Sequence, residues 1–432
     1  NRIYNEWWYK SKNGEPDICW PGVTEHFALS SGTSDAASKV IPVTKDMIKA
    51  IQRTSINQII SLGKYKSLPA DLYEKGYLML GGSTLLNQVD THYEGDLSGI
   101  TQKTIPFWFD RFYKPGKKIA QLKDWGNKLD EIAHSAADWD IGFLAGVPAW
   151  VQLLMEKVIS HYGVKDIHEI WPNLEVFAWG GVSFDPYRQS FEKLLGRPIL
   201  YLETYLASEG FIAYQARPNA DIQLVVNNGI FFEFIPMPTH GTPHEKVIPL
   251  SEVELNDNYA LVITTNAGLW RYKIGDTIRF TCLDPFRIRV TGRTKHHINV
   301  FGEELIIENA EAAIKKTACE FDCEVIEYTA APIFMEGKKK GAHEWIIEFK
   351  KPPCSVNDFR KCLDQNLQDI NSDYEAKRYN NMTLDLLTLH EARPKLFQHW
   401  LKQNNKLGGQ HKIPRLSNDR QYLEELLSLN RN

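Results

Sequence analysis

A segment rich in hydroxyl groups near the N-terminus carries the residue types best suited to binding phosphate. Residues 30–39 hold five hydroxyl side chains, a glycine and a terminal lysine, and they lie between β-like runs at 26–29 and 39–43. Hydroxyls and backbone N–H groups in such a loop can cradle phosphate oxygens, with Lys39 supplying positive charge. It is not a Walker A loop, because that motif places Gly-Lys-Ser/Thr at the start of a helix. Taken alone, the segment is equally consistent with an ordinary turn.

Two later segments favour a nucleotide site. One is Thr-Tyr-Leu-Ala-Ser-Glu-Gly at 204–210, and the other is Trp-Arg-Tyr-Lys-Ile-Gly-Asp at 270–276. In this order and at this spacing, the three segments resemble the signature of adenylate-forming enzymes, the superfamily of acyl-CoA synthetases and firefly luciferase. The resemblance is closest to the acyl-acid amido synthetases first known as auxin-responsive (Gretchen Hagen) proteins of plants, in particular to their bacterial relatives. It extends from about Phe27 to Tyr422.

The resemblance implies an ATP site assembled from these segments and from a Gly-Gly pair that follows a predicted strand. The positions that match the family's ATP-binding residues are Ser30, Ser31, Gly32, Thr33, Ser34, Lys39, Gly180, Gly181, Thr204, Tyr205, Ser208, Asp276 and Arg293. Asp276 would hold the two ribose hydroxyls, because a carboxylate offers two acceptor oxygens. Glu209 would be both a catalytic residue and the ligand of Mg²⁺, which usually takes one or two protein carboxylates plus phosphates and water.

Each of these assignments has an ordinary structural alternative. By itself, Asp276 fits a Gly-Asp turn, and Glu209 fits a surface or helix-capping glutamate. Gly180 and Gly181 alone would be a simple turn after a strand. The combination of all the motifs favours the nucleotide site.

A lysine near the C-terminus completes the catalytic set that the resemblance implies. Lys412 lies in a loop-like segment, 408–416, that contains two glycines and a proline. In related enzymes a lysine of this loop contacts the substrate carboxylate or the α-phosphate, and a point charge on a flexible stem suits that task. The alternative for Lys412 is a solvated surface lysine.

The aromatic residues of 77–112 and 141–155 suggest where the acid could bind. Phe143 and Trp150 are the acyl-binding candidates, although most aromatic clusters belong to the protein core. The pocket residues of the plant enzymes have no secure counterparts here, so the sequence does not support auxin or jasmonate as the acid.

Composition limits the other classes of function. The chain has 432 residues and a net charge of −4, and it lacks a long basic run, so we expect no nucleic-acid partner. No apolar run is long enough to span a membrane, and six scattered cysteines suggest a reducing, cytoplasmic location. The first residue is Asn rather than Met, which leaves open residues upstream.

Periodicity predicts an α/β protein with two parts. Alternating strands and helices indicate a large N-terminal domain with mainly parallel sheets, followed by short strands that suggest a small β-barrel-like part. A hinge near Gly292-Arg293-Thr294 would separate an ATP- and acid-binding domain, 1–293, from a smaller mobile α+β domain, 294–432.

The sequence therefore predicts a ligase that uses ATP and Mg²⁺. It would convert a small carboxylic acid to an acyl-AMP and transfer the acyl group to an amine, expected to be an amino acid, with release of AMP. One alternative is the same first step with coenzyme A as acceptor. Another is a nucleotide-binding relative without catalysis. A serine hydrolase using Ser31 is weaker still, because no G-x-S-x-G motif surrounds that residue.

Overall fold

The computed structural model describes residues 4–30, 39–181, 184–294, 297–335, 339–379, 383–403 and 414–431. The chain divides into two compact units. Of the described residues, the first unit contains 4–30, 39–181 and 191–294, and the second contains 184–190 and those from 297 onward. None of the described helices is both long and apolar enough to cross a membrane.

The elements up to residue 293 begin with helices and strands interspersed and end with a run of eight strands. In chain order they are α1 (Tyr9–Lys12), β1 (His26–Ser30), β2 (Lys39–Val43), α2 (Lys45–Ser61), β3 (Gly76–Met79), β4 (Asn87–Val89), β5 (His92–Gly95), α3 (Leu97–Lys103), β6 (Tyr113–Lys114), α4 (Lys117–Ala120), α5 (Trp125–Ser135), β7 (Ile141–Gly146), α6 (Pro148–Tyr162), β8 (Val176–Gly180), α7 (Asp185–Glu192), β9 (Leu200–Ala207), β10 (Gly210–Tyr214), β11 (Ile222–Leu224), β12 (Ile230–Pro236), β13 (Ile248–Pro249), β14 (Asn258–Thr265), β15 (Tyr272–Leu283) and β16 (Phe286–Arg293). A π-helical turn at Tyr4–Trp8 and 3₁₀ helices at Leu62–Lys64, Ala70–Glu74, Ala136–Asp138, Ile167–Glu169 and Leu250–Glu252 complete this part.

Local sequence signals explain where the long helices begin and end. Thr44 caps α2, where its side chain accepts a hydrogen bond from the backbone N–H of Met47 at 3.2 Å. Pro148 stands in the first turn of α6, where a missing N–H costs nothing, and Gly163 ends that helix in the left-handed conformation with φ of 65°.

The first unit is organised around a mixed twelve-stranded sheet in the order β13-β12-β14-β15-β16-β11-β10-β9-β8-β7-β3-β6. The five strands from β9 to β6 are parallel, and every pair from β9 to β13 is antiparallel. The antiparallel strands share one core cluster that includes Phe232, Phe234 and Phe280. The predicted α/β class is confirmed, and the expected barrel-like part is a continuation of the same sheet.

A smaller sheet in the order β2-β1-β5-β4 joins the N-terminal strands. Strands β1 and β2 pair antiparallel, with Ser30 opposite Lys39. The two β-like runs around the hydroxyl-rich segment are therefore the arms of a hairpin. Lys39 begins a strand, as predicted, and not a helix.

The second unit is an α+β arrangement. From residue 297 its elements are β17 (His297–Ile298), β18 (Leu305–Ile306), α8 (Ile307–Glu320), β19 (Glu324–Ile333), β20 (Ala342–Lys351), α9 (Val356–Ile370), α10 (Ser372–Arg378), β21 (Thr388–Glu391), α11 (Leu396–Gln403) and α12 (Gln421–Arg431). Strands β19, β20 and β21 form one sheet, in which β20 and β21 run parallel. A core cluster around Ile346, Phe397 and Trp400 joins the sheet to α11 and α12.

Candidate functional site

The carboxyl ends of the parallel strands form a crowded, glycine-lined edge. Gly180, at the end of β8, lies opposite Thr204 of β9 in the parallel register. A Cβ atom on Gly180 would lie 2.5 Å from the carbonyl oxygen of Thr204, so a side chain there would displace a strand. Gly181 follows with φ of 82°, which favours glycine. Ligands of open α/β sheets bind outside this edge.

Thr204 is held in place at the same edge. Its hydroxyl donates a hydrogen bond to the carbonyl oxygen of Trp179 at 2.9 Å. The bond ties β9 to β8 at the point where Gly180 ends its strand. Thr204 and Gly180, which the sequence placed near the nucleotide, are thus neighbours in the structure.

Glu209 lies in the two-residue turn of a β-hairpin. Ala207 of β9 is opposite Gly210 of β10, which leaves Ser208 and Glu209 as the turn. Although turns are normally solvated, Glu209 is only 6% exposed. It therefore lies in a hairpin turn rather than at a helix end and is not a surface residue, so the surface alternative for Glu209 is wrong.

The surroundings of Glu209 include helix α2 and a buried asparagine. A small cavity is lined by Glu209, by Met47 and Ile51 of α2, and by Asn228. Asn228 donates a hydrogen bond from Nδ2 to the carbonyl oxygen of Phe211, which fixes the start of β10. Among the described residues, its Oδ1 atom is buried without a hydrogen-bond partner. A carboxylate and an amide oxygen that lacks a donor thus lie at one cavity.

Tyr205 and Asp276 join two of the sequence motifs directly. The Tyr205 hydroxyl donates a hydrogen bond to Oδ2 of Asp276. Their strands, β9 and β15, are not neighbours in the sheet, so the side chains bridge what the backbone separates. Asp276 lies within β15, not in a turn, and Arg293 is opposite it on β16. The Gly-Asp turn considered for Asp276 is therefore wrong.

Part of the predicted ATP and catalytic set lies outside the described residues. Ser31, Gly32, Thr33, Ser34 and Lys412 belong to this group. For Ser30 and Lys39 the structure gives the backbone, which pairs them at the open end of the β1–β2 hairpin. Strand β2 leads directly into α2, the helix that lines the cavity beside Glu209.

The two acyl-binding candidates are core residues of the first unit. Phe143 is buried and stacks on Tyr77, with ring centroids 3.9 Å apart. Trp150 is buried and stacks on Trp125 at 4.2 Å. The structure does not bring Phe143 and Trp150 into one surface, and their acyl-binding role stays a prediction.

Sequence reasoning missed Lys128, a buried lysine of α5. This helix turns one face to the core, with Trp125, Leu129, Ile132 and Ala133 at helical spacing, and Lys128 falls on the same face. Its ammonium group donates to the carbonyl oxygen of Gly81 at 3.2 Å. A lysine within the apolar face of a helix breaks the expected division into apolar and polar faces. That break in the sequence pattern could have identified Lys128.

No group of three or more His, Cys, Asp or Glu side chains suited to a metal ion occurs in the described parts of the chain. A magnesium ion bound mainly through nucleotide phosphates needs no such group.

Comparison with known proteins connects this architecture to one family. The model of the GH3 family N-terminal domain matches residues 4–84 and 82–199. The models of the GH3 family central and C-terminal domains match 223–293 and 308–421. Together the matches cover most of the chain.

Curated relatives share limited identity over part of their length. The indole-3-acetic acid-amido synthetase GH3.3 of Arabidopsis thaliana is 23% identical over 269 residues, which are 58% of this chain and 44% of that protein. The jasmonoyl–L-amino acid synthetase JAR6 of Nicotiana attenuata is 25% identical over 282 residues, 60% of this chain and 47% of that protein. The chain thus spans about half the length of the curated relatives it matches.

Solved structures show the same fold over nearly the whole chain. A GH3.15 acyl acid amido synthetase superposes with a TM-score of 0.56 at 17% identity, over 100% of this chain and 85% of that one. A 2-hydroxyisobutyryl-CoA ligase, in complex with 2-HIB-AMP and CoA, gives 0.56 at 12% identity over 93% and 75%. At identities this low, the superpositions show a shared fold and nothing about function.

Proposed function

Since the chain belongs to the GH3 family, we propose that it uses ATP to adenylate a carboxylic acid and then transfers the acyl group to an amine. The amine is expected to be an amino acid. The observation that carries this proposal is the bond between Tyr205 and Asp276, because it joins two motifs far apart in sequence beside the glycine-lined edge. The matched relatives are named as an acid-amido synthetase and a jasmonoyl–L-amino acid synthetase, and these names support the same reaction.

In the first half-reaction the α-phosphorus of ATP exchanges its bond to pyrophosphate for a bond to the acid. A carboxylate oxygen of the acid attacks the α-phosphorus of ATP, and the bond to pyrophosphate breaks. The product is an acyl-AMP with a good leaving group. Backbone groups of Gly180 and Gly181 would contact the adenine, Thr204 and Tyr205 would lie near the α-phosphate and the adenine, and Asp276 would hold the ribose. Fixed polar groups of this kind are effective because they need no reorganisation during the reaction.

The second half-reaction transfers the acyl group. The amine nitrogen attacks the acyl carbon, the bond to AMP breaks, and the amine loses a proton as the amide forms. No described residue is assigned as the base. We propose that residues 1–293 bind ATP and the acid, that residues 294–432 form the mobile part, and that Lys412 offsets the negative charge of the transition state.

Magnesium fits the donors present at Glu209. The buried carboxylate and the Asn228 Oδ1 atom, which has no donor among the described residues, are hard oxygen ligands of the kind that Mg²⁺ prefers. Glu209 would hold the ion directly. When bound, the ion would neutralise charge on the pyrophosphate leaving group.

The experiment that tests the proposal is ATP–pyrophosphate exchange with a panel of aryl and alkyl carboxylic acids. We expect exchange with at least one acid, and we expect Glu209→Ala to lower it by about 100-fold. The exposed Glu254→Ala is the matched control and keeps wild-type exchange. Unchanged exchange in Glu209→Ala would contradict the assigned role, and ATP binding without exchange for any acid would contradict adenylation.

A second screen identifies the acceptor. The acid found in the panel is incubated with ATP and either amino acids or coenzyme A, and the products are separated by mass. An amide product supports the proposed ligase. A thioester product alone would make the chain an acyl-CoA synthetase instead.

A further inference from the structure

Lys128 is a buried cation whose bonding capacity the fold leaves largely unused. The side chain is only 3% exposed. Its ammonium group makes one hydrogen bond, to the carbonyl oxygen of Gly81, and its nitrogen lies 5.0 Å from the centre of the Trp125 ring. Within the described part of the chain no carboxylate forms an ion pair with Lys128, so two of its three N–H donors face no protein acceptor.

The side chains of Ser98 and Gln102, which border Gly81, have hydrogen-bond partners of their own. The hydroxyl of Ser98 accepts the backbone N–H of Gly82 at 2.9 Å. The hydroxyl of Tyr113 donates to Gln102 at 2.8 Å, and both side chains are buried. These groups therefore do not explain the charge on Lys128.

Burial makes the charged form of Lys128 less favourable than it would be in water. Burial lowers the pKa of its ammonium to about 8, and only the charge of Asp96, an exposed residue, acts in the opposite direction. A buried cation without a partner is unusual in folded proteins. Such a group is typical of sites where a ligand supplies the missing charge.

The position of Lys128 matches a substrate site. Gly81 follows β3, at the same carboxyl edge as Gly180 of β8, and β3 and β8 are separated by one strand, β7. Two strand spacings place Gly81 roughly 10 Å from Gly180 along the edge. On the proposed function Gly180 contacts the nucleotide, so this distance leaves room for a second substrate group beside it along the edge.

We infer that the ammonium group of Lys128 binds a substrate carboxylate at the carboxyl edge of β3. The inference rests on the proposed function for the identity of the substrates. The carboxylate comes from the amino acid acceptor or from the acid itself. In either case Lys128 orients a substrate through two charge-assisted hydrogen bonds, which are stronger than neutral ones.

A binding experiment tests the site without relying on activity. Lysines of the whole chain are labelled with ¹³C at Cε by growth on labelled lysine, which leaves the three N–H groups of each ammonium intact, and the Lys128 signal is assigned by its loss in Lys128→Arg. The pKa of this group is then measured by NMR with excess alanine, acetate or phenylacetate, and with the corresponding amides as neutral controls. A carboxylate that binds raises the pKa of Lys128, and its amide does not. No shift with any of the three anions would overturn the inference.

Kinetics distinguish the two sources of the carboxylate. Lys128→Gln removes the charge, and Lys128→Arg keeps it. If the acceptor carboxylate binds, Lys128→Gln raises the KM for the amino acid about tenfold, leaves the KM for its primary amide unchanged, and leaves pyrophosphate exchange intact. If the acid binds, the KM for the acid in exchange rises instead. Lys128→Arg restores part of the affinity in both cases.

A structural role for Lys128 predicts a different result. In that case kcat falls equally for the amino acid and its amide, and no KM changes, which would overturn the inference. Failure of the proposed function has its own signature, because the wild type would then show no exchange with any acid. The NMR titration remains informative in that event.

Discussion

Lys128 and Arg378 are buried cations in different units, and they differ in the hydrogen-bond acceptors that surround them. Arg378, 8% exposed, donates from Nε and Nη2 to Asp364 at 2.8 to 3.0 Å and from Nη1 to the Leu384 carbonyl at 2.8 Å. Among the residues that the structure describes, Lys128 makes one hydrogen bond, to the carbonyl oxygen of Gly81. A cation retained for structure is thus surrounded by its acceptors. One that lacks them points to a ligand.

The partners of Arg378 also bind each other. Asp364 of α9 accepts a further hydrogen bond from the Tyr374 hydroxyl at 2.7 Å. The three side chains therefore tie α9 to α10 within the second unit. A network satisfied in this way fixes the packing of the helices.

The largest effect is expected from breaking the satisfied pair. Arg378→Met would leave the Asp364 carboxylate buried and unpaired, and we expect a loss of about 3–5 kcal/mol in the free energy of unfolding. Urea denaturation of the whole chain measures it. The matched control is Arg289→Met, because Arg289 is 67% exposed and pairs with Asp221 at 2.8 Å. An exposed pair of this kind contributes less than about 1 kcal/mol, and equal losses in both variants would contradict the comparison.

Removal of the unsatisfied cation should have the opposite sign. The pKa of Lys128 is about 8 in the folded protein, below its ordinary value of 10.5. Below pH 8 both states are protonated, and the wild type bears the full destabilisation, about 3 kcal/mol. Lys128→Met is expected to raise the free energy of unfolding at pH 7 by up to that amount. The gain shrinks as pH rises from about 8 to 10.5, because the folded wild type then loses its charge.

The matched control for this stability measurement is Lys117→Met, since Lys117 is 71% exposed and pairs with Asp110. It should stay within about 0.5 kcal/mol of the wild type at every pH. A destabilised Lys128→Met at pH 7 would show that Lys128 supports the fold, and the contrast with Arg378 would fail.

The smallest effect is expected for the pair at the proposed nucleotide site. Tyr205→Phe removes the hydrogen bond to Asp276 and keeps the ring, so we expect a loss of about 1 kcal/mol in ATP binding, or about a fivefold higher KM for ATP. Steady-state exchange at varied ATP measures it. Tyr214→Phe, on the neighbouring strand, leaves the Asp276 contact intact and should keep the wild-type KM. An unchanged KM in Tyr205→Phe would mean that the bond does not orient Asp276 for the ribose.

Much of the fold could be predicted from the sequence where periodicity is strong. Thr44 before α2 and Pro148 in the first turn of α6 are residues that mark the start of a helix in the sequence itself. Short elements gave weaker signals. Strands β4, β6 and β21 have between two and four residues, too few for a pattern to develop, so only pairing with neighbours defines them.

The residues of the candidate site that belong to sequence motifs could be predicted. The contacts that depend on how the strands and helices pack could not. The segments around Glu209 and Asp276 could be found by residue type and spacing, but the hairpin turn at Glu209 and the Tyr205 bond depend on strand order. Lys128 belongs to no motif and becomes notable only once its burial is known. For the hydroxyl-rich segment, 30–39, the structure gives the pairing of Ser30 with Lys39.

The positions around the glycine-lined edge differ in how freely they can be substituted. A methyl group on Gly146 would lie 2.9 Å from the Leu80 carbonyl oxygen, and Gly180 is more crowded still. Position 128 of α5 lacks this restriction on the backbone, because it already carries a long side chain. On the proposed function, divergence toward new acids or acceptors is therefore expected at position 128 rather than at the glycines. A library that seeks altered substrate range would vary position 128 and keep both glycines and the apolar core positions of α5.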